Sequence, residues 1–227
     1  MLSIFDIYKI GVGPSSSHTN GPMIAGYHFT RLIESNLAKV VRIQVDLYGS
    51  LSLTGIGHHT DRATILGLLG HKPDTIKIAS ANKAMRKAIE EGMMSVDGRH
   101  EIEFNYKTDM LFHEENLPLH ENGMTITALD AHGNQVGFET YYSIGGGFIA
   151  TADELQNGSA TAPVAVEFPF SSADEMLAQA EKNGMSLGGM ILKNEQAFQE
   201  MEAINQRAEQ IWRCLLYTSD AADEFMG

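Results

Sequence analysis

Met124-Thr-Ile-Thr-Ala-Leu-Asp-Ala-His-Gly-Asn-Gln-Val-Gly-Phe-Glu-Thr-Tyr-Tyr-Ser143 contains two strand-like runs on either side of a turn. Residues 124–130 and 136–143 are rich in the β-branched and aromatic side chains that pleated strands favour. Between them, Asp130-Ala-His-Gly-Asn134 has the composition of a tight turn. The sequence therefore predicts a β-hairpin, which needs further strands and helices to cover it.

Those further elements are predicted upstream of the hairpin. Residues 40–48 are rich in β-branched side chains and carry Arg42, Gln44 and Asp46 at alternate positions, so we expect a strand with one solvated face. Another strand is expected at 101–106. Helical spacing of apolar residues predicts helices at 20–36, 50–69 and 75–92. Residues 2–10 predict a short strand or a turn.

The composition changes after the hairpin. Asn157, Gly158, Ser159 and Pro163 favour a linker, assigned here to 158–170, within which 164–168 is either one more strand or an extended segment. Helices are expected at 173–183, 187–192 and 195–214, the first beginning at Ser171 or Ser172. The predicted fold class is thus an α/β (α+β) domain over 1–157, with a mixed sheet packed by helices, followed by an all-α segment over 171–213. Residues 214–227 break the helical periodicity and resemble a non-native tail.

Charge and cysteine content exclude several classes of function. A formal net charge of −13 argues against binding nucleic acid or an anionic membrane surface. The sequence contains neither a transmembrane run nor a signal peptide, so we expect a cytoplasmic location. One cysteine, Cys214, excludes an internal disulfide and an iron–sulfur cluster ligated by this chain alone.

Three hydroxyls, an imidazole and a fourth hydroxyl occur together in Gly11-Val-Gly-Pro-Ser-Ser-Ser-His-Thr-Asn20, just before a predicted helix. Backbone N–H groups at a helix N-terminus, with serine and threonine hydroxyls, suit a carboxylate or a phosphate. Helix capping alone needs one hydroxyl. The segment is therefore either a ligand site or a serine-rich cap.

Histidines occur in two further segments. In Gly49-Ser-Leu-Ser-Leu-Thr-Gly-Ile-Gly-His-His-Thr-Asp-Arg62, His58 and Asp61 would share one face of a helix, as a buried polar pair, a helix end or an oriented general base. In Leu117-Pro-Leu-His-Glu-Asn-Gly-Met124, His120 and Asn122 lie in a loop that is either a plain turn or part of a site. No histidine spacing predicts a metal site.

A glycine triplet ends the predicted hairpin, in Ser143-Ile-Gly-Gly-Gly-Phe148. Glycines allow a ligand or another domain to approach the backbone closely, and they also form anion-binding nests. The alternative is a flexible hinge.

These four segments, in this order, resemble the β-domain of bacterial iron–sulfur L-serine dehydratases, and residues 171–195 resemble the opening helices of that family's catalytic α-domain. The resemblance implies deamination of L-serine to pyruvate and ammonia, with a [4Fe–4S] cluster as Lewis acid on the substrate hydroxyl. It implies a cleft between the two domains and a homodimer when the protein is complete. The implied proton-handling residues are His18, His58 and His120; the implied substrate contacts are Ser15, Ser16, Ser17, Thr19, Thr60, Asp61, Asn122, Gly145 and Gly146.

This chain departs from the family pattern because the cluster cysteines belong to the later part of the α-domain. We therefore expect the chain by itself to hold no cluster and to be inactive. A different class remains open: the β-domain is also similar to the allosteric domain of some D-3-phosphoglycerate dehydrogenases, which binds a small anion and catalyses nothing. An interaction or scaffold domain has little support in the sequence.

Overall fold

The computed structural model describes residues 2–158 and 164–225, with side chains through residue 216. The described residues form two compact units. One runs from Gly11 to Gly158, and the other combines residues 2–10 with residues 164–225. The first unit is called here the sheet unit and the second the helical unit.

The sheet unit contains seven strands in two sheets. The strands are β1 (Arg42–Tyr48), β2 (Met93–Val96), β3 (His100–Glu103), β4 (Met110–His113), β5 (Gly123–Leu129), β6 (Gln135–Gly145) and β7 (Phe148–Thr151). Five form a mixed sheet in the order β4-β1-β5-β6-β7, and β2 pairs with β3. β1 runs parallel to β4 and antiparallel to β5.

Helices flank these strands in the sheet unit and make up the helical unit. In chain order they are α1 (Ile4–Ile7), α2 (Gly21–Leu32), α3 (Gly49–Leu53), α4 (Thr60–Leu68), α5 (Ile78–Glu90), α6 (Tyr106–Asp109), α7 (Ala152–Asn157), α8 (Ala173–Lys182), α9 (Leu187–Glu195) and α10 (Met201–Phe225). A π-helical turn, Ser16–Asn20, leads into α2, and a 3-10 helix, Glu34–Lys39, follows it. The predicted fold class is confirmed.

Side-chain alternation in β1 separates the core from the opposite face of the sheet. Ile43, Val45 and Leu47 are completely buried among the helices, as the period of two predicts. On the other face Asp46 is also largely buried, because Gln44 Nε2 donates to it at 2.9 Å and His113 Nε2 lies 2.7 Å from its other oxygen. The expectation of a solvated Asp46 was therefore wrong.

Two glycines let α2 and α4 pack closely. A Cβ at Gly26 would lie 2.5 Å from the Thr64 carbonyl oxygen, and a Cβ at Gly67 would lie 2.1 Å from the Met23 carbonyl oxygen. No larger side chain fits at either position without moving a backbone. This crossing brings the turn before α2 against the start of α4.

The predicted hairpin is confirmed, with Gly123 opposite Tyr142 and Leu129 opposite Gln135. The helices expected at 20–36, 75–92, 173–183 and 187–192 are also present, with shifts of a few residues at their ends. Ser172 begins α8, since its side chain accepts from the Glu175 N–H.

Several local predictions were wrong. Residues 50–69 form two helices, α3 and α4, separated by a turn in which His59 has a left-handed φ of 57°. A one-turn helix, capped by Ser3 in a capping box with Asp6, replaces the strand or turn expected at 2–10. Residues 164–168 form no strand, which leaves the extended alternative. Helix α10 begins at Met201 and continues past residue 214 to Phe225, although the apolar periodicity changes there.

The helical unit is held by buried polar contacts as well as apolar ones. The Asn194 amide donates to the Phe168 carbonyl and accepts from the Phe168 N–H, both at 2.8 Å. The Glu195 carboxylate accepts from the Ile4 N–H at 3.0 Å and from the Ser3 hydroxyl. These contacts tie the first residues of the chain to α9.

Within residues 2–158 and 164–225, no helix has the length and apolar character needed to cross a lipid bilayer.

Candidate functional site

The hydroxyl-rich segment folds into the π-helical turn before α2. Ser15 begins this turn, since its hydroxyl accepts from the His18 N–H at 3.1 Å and its carbonyl accepts from Thr19 and Asn20. The Asn20 side chain in turn accepts from the Val12 N–H at 2.9 Å, which fixes the preceding loop. One hydroxyl therefore caps the turn, as the simpler alternative predicted, while the Ser17 and Thr19 hydroxyls contact the His18 ring and the His58 carbonyl.

His18 lies between two serine hydroxyls. Its Nδ1 is 2.8 Å from Ser17 Oγ, and its Nε2 is 2.9 Å from Ser50 Oγ. Burial, and then the nearby His58, lower the pKa of His18, while Glu121 and the contact with Ser50 oppose that shift. A neutral imidazole has one donor and one acceptor nitrogen. His18 therefore orients the Ser17 and Ser50 hydroxyls in opposite senses.

His58 lies in the turn between α3 and α4, next to His18. The two ring centroids are 5.1 Å apart with an interplanar angle of 42°. His58 Nδ1 is 3.1 Å from the Thr54 carbonyl oxygen. Because a carbonyl only accepts, Nδ1 carries the proton of the neutral ring, and Nε2 is left with its lone pair.

Two buried threonines hold the backbone of these histidines reciprocally. Thr19 Oγ1 donates to the His58 carbonyl at 2.8 Å, and Thr60 Oγ1 donates to the His18 carbonyl at 2.7 Å. Both threonines are buried. Their hydroxyls are thus engaged with the main chain, and they fix the distance between the turn before α2 and the turn before α4.

The loop that carries His120 packs against the end of β1. A Cβ at Gly49, whose φ is 52°, would lie 2.5 Å from the Glu121 carbonyl oxygen, so only glycine allows this approach. The Ser50 N–H donates to that same carbonyl at 3.1 Å. His120 directly precedes Glu121, whose carbonyl accepts from the Ser50 N–H. The Ser50 hydroxyl in turn contacts His18.

The hydrogen bonds of His120 define its tautomer as well. Its Nδ1 accepts from the Asn122 N–H at 3.0 Å. Because an amide N–H only donates, the neutral ring carries its proton on Nε2. His58 and His120 are therefore fixed in opposite tautomers, the first with an Nε2 lone pair and the second with an Nε2–H.

Asn122 and Ser143 connect the end of β6 to the turn before α2. Ser143 Oγ donates to the Ser17 carbonyl at 2.6 Å, and Asn122 Nδ2 donates to the Ser143 carbonyl at 3.3 Å. Asn122 Oδ1 is buried and has no donor among the described residues. Gly145 ends β6 with φ of 94°, and Gly146 begins the β6–β7 turn with φ of 60°.

Asp61 does not orient His58. Its carboxylate accepts from the Tyr106 hydroxyl at 2.5 Å. Burial, together with the hydrogen bond and charge of Asp61, raises the pKa of Tyr106. The predicted His58–Asp61 pair was wrong, because the helix expected to carry both residues is broken between Thr54 and His59.

The structure thus brings together His18, His58, Ser15, Ser17, Thr19 and Thr60, with the His120–Asn122 loop beside them. Ser16 lies on the same turn and is exposed. Sequence reasoning missed Ser50 and Ser143 as site residues. Ser50 lies two residues after the end of β1, and Ser143 lies two residues before the end of β6. Pairing of both strands with β5 puts these two ends at one side of the sheet.

Among the described residues no group of three histidine, cysteine, aspartate or glutamate side chains is arranged to hold a metal ion.

Comparison with known proteins gives consistent matches. The family model described as the serine dehydratase beta chain matches residues 3–154. The chain is 50% identical over 218 residues to L-serine dehydratase 2 of Escherichia coli, covering 95% of this chain and 48% of that protein. It is 41% identical over 218 residues to an L-serine dehydratase of Streptomyces coelicolor, covering 94% and 48%. The chain spans about half the length of the curated relatives it matches.

Proposed function

Since this chain belongs to the serine dehydratase beta-chain family, we propose that it is part of an L-serine dehydratase, which converts L-serine to pyruvate and ammonia. Its role is to supply hydroxyl contacts to the substrate and to move the protons of the reaction. The observation that carries this proposal is the hydrogen bonding of His58 and His120, which favours opposite tautomers of their neutral rings, on segments that meet at Ser50.

The reaction needs one group that takes a proton and one that gives a proton. Removal of the α-proton of L-serine and departure of its β-hydroxyl give 2-aminoacrylate and water. The enamine tautomerises to an imine, and hydrolysis of the imine consumes one water and gives pyruvate and ammonia. The leaving hydroxyl must be protonated to depart as water, so a base and an acid act on adjacent carbons.

We assign these tasks by tautomer. The Nε2 lone pair of His58 takes the α-proton, and the Nε2–H of His120 donates toward the leaving hydroxyl. His18 is a positioning residue, since both its nitrogens already contact serine hydroxyls. The proposed substrate contacts are Ser15, Ser16, Ser17, Asn122, Gly145 and Gly146. Thr19, Thr60 and Asp61 act indirectly, through the backbone and Tyr106.

The residues of this chain do not fit a resident [4Fe–4S] cluster. Such a cluster needs three or four thiolates, and the chain has one cysteine, Cys214. We place the cluster in the complete protein, ligated outside this chain, and we propose that the chain alone is inactive. Its proposed partners are L-serine, the remainder of the α-domain and, in the complete protein, a second copy.

The test is steady-state kinetics of the complete protein with L-serine, measured as pyruvate formation. His58→Ala and His120→Ala should each lower kcat by about 100- to 10,000-fold, as expected for loss of a general base or acid. The matched control is His132→Ala, in the exposed turn between β5 and β6, which should leave kcat and KM unchanged. A rise in half-saturation alone would favour the non-catalytic anion-binding domain.

A further inference from the structure

A groove along α4 and α5 is lined by none of the three histidines to which the proposed function assigns roles, His18, His58 and His120. It consists of two adjoining cavities of about 130 and 290 Å³, which share Arg62, Asn82 and Met85. The smaller cavity extends to the loop at Val12 and Gly13. Arg86, on α5, lines the larger one.

The arginines in this groove differ from the other arginines of the sheet unit. Three arginines outside the groove each contact a carboxylate; the pairs are Arg31–Asp97, Arg42–Asp109 and Arg99–Glu34. Arg62 and Arg86 have no carboxylate within 4.0 Å among the described residues, although the chain carries 29 acidic side chains. The two arginines without an internal counterion are therefore the two that line one groove.

The remaining lining supports a small ligand with both charged and apolar parts. The Asn82 side chain has no hydrogen bond within the described part of the chain and adds an amide donor and acceptor beside the arginines. Met23, Leu66 and Met85 give the groove an apolar wall. Glu90, which lines the larger cavity, is the one acidic residue among the lining residues of the two cavities, against two arginines.

We propose that this groove binds a small organic dianion, either a phosphate monoester or a dicarboxylate, held by Arg62 and Arg86. Guanidinium groups bind both chemistries through paired N–H donors. A bound dianion gives Arg62 and Arg86 the negatively charged partner that carboxylates give the other arginines of the sheet unit. The lining of the groove includes Thr19 and His59 but none of His18, His58 and His120. Its test does not depend on dehydratase activity.

The experiment is isothermal titration calorimetry of the whole chain at fixed ionic strength, with inorganic phosphate and succinate as separate probes. We expect saturable 1:1 binding of one or both probes at concentrations of up to about 10 mM. Binding of phosphate alone identifies a phosphate ligand, and binding of succinate alone identifies a dicarboxylate ligand.

Two groove variants and one control make the test specific. Arg62→Gln and Arg86→Gln should each raise the dissociation constant by about tenfold or more, because each removes a charge-assisted contact. Arg99→Gln, which removes an arginine already paired with Glu34, should leave it unchanged. Circular dichroism checks that each variant is folded. The proposal is overturned if neither probe binds, or if Arg99→Gln weakens binding as much as the groove variants do.

Discussion

The sheet unit and the helical unit of this chain bury their apolar side chains to different extents. In the sheet unit α2, β1, α4 and β5 share one continuous core whose members include Met23, Phe29, Ile43, Val45, Leu47, Ile65, Leu68 and Ile126, all of them almost inaccessible. In the helical unit the buried apolar side chains are Ala180, Met190 and Ile204, whereas Leu177 and Trp212 are 52% and 60% exposed. The sheet unit therefore closes its own core, and the helices of the other unit present apolar surface.

This difference agrees with the proposal that the helical unit is the beginning of a larger α-domain. Amphipathic helices gain most of their stability from packing of the apolar face. In α9 the buried polar side chains Asn194 and Glu195 make contacts with Phe168 and Ile4 in addition to the apolar packing. Substitutions in the two units should therefore have unequal consequences. Two experiments compare the units, and two more test the polar contacts within the sheet unit.

The largest effect is expected for Phe29→Ala, which empties a fully buried site between α2 and the sheet. The loss in the free energy of unfolding should be about 3–5 kcal/mol, from lost burial and the cavity left behind. Trp212→Ala, at an exposed position of α10, should change it by less than about 0.5 kcal/mol. Urea unfolding measures both. Equal losses of unfolding free energy in the two variants would contradict the difference in side-chain burial between the two units.

The next effect compares two glycines in helices. Gly67→Ala forces a methyl group against the Met23 carbonyl and should cost about 1–3 kcal/mol. Gly188→Ala, in α9, has nothing within 4 Å of the new Cβ and should stabilise the chain by up to about 1 kcal/mol. The midpoint of thermal unfolding should fall for Gly67→Ala and rise for Gly188→Ala. A stabilised Gly67→Ala variant would show that α2 and α4 are not in such close contact.

An effect of similar size is expected at Thr60. Thr60→Val leaves the His18 carbonyl without its donor and should cost about 1–3 kcal/mol of unfolding free energy, while Thr60→Ser, which keeps the hydroxyl, should cost less. NMR titration of the His18 ring should show an altered pKa in the valine variant alone. Unchanged titration of His18 in that variant would contradict a positioning role for Thr60.

The smallest effect is a pH dependence from His18. Its pKa is lowered from the ordinary value of 6.5, chiefly by burial, so the folded protein favours the neutral ring. The stability that depends on the neutral His18 ring is fully present above about pH 6.5. It is lost as the pH falls, because the unfolded chain binds a proton at His18 more tightly than the folded protein does. His18→Gln should reduce the loss of stability between about pH 7.5 and 5.5. An unchanged slope would assign the acid sensitivity to other groups.

The parts of the fold that sequence predicted well are those with strong periodicity. The β5–β6 hairpin, β1 and helices α2 and α5 were predicted because alternation and helical spacing persist over many residues. β2 and β4 were missed, since each has four residues and a composition rich in methionine or histidine. The break between α3 and α4 was missed because a left-handed conformation at His59 depends on tertiary packing.

Residue type and order identified Ser15, Ser17, His18 and His58 as candidate site residues, and the structure brings them close together. Their contacts were not predicted. Their meeting depends on the crossing of α2 and α4 at Gly26 and Gly67, a contact between distant residues that local pattern does not encode. The roles of Ser50 and Ser143 likewise require knowing which strand ends lie together. Secondary-structure propensity depends on residues that are neighbours in sequence, whereas this site depends on contacts between helices and strands that are distant in sequence.

We propose that this chain supplies the histidines that take and give protons in an L-serine dehydratase, and that it lacks the cysteine ligands of the cluster. The most direct test is anaerobic reconstitution of the purified chain with iron and sulfide, followed by a pyruvate assay with L-serine, beside the complete protein treated identically. We predict a brown protein and pyruvate from the complete protein, and neither from this chain. Cluster colour together with pyruvate formation from this chain alone would contradict the claim.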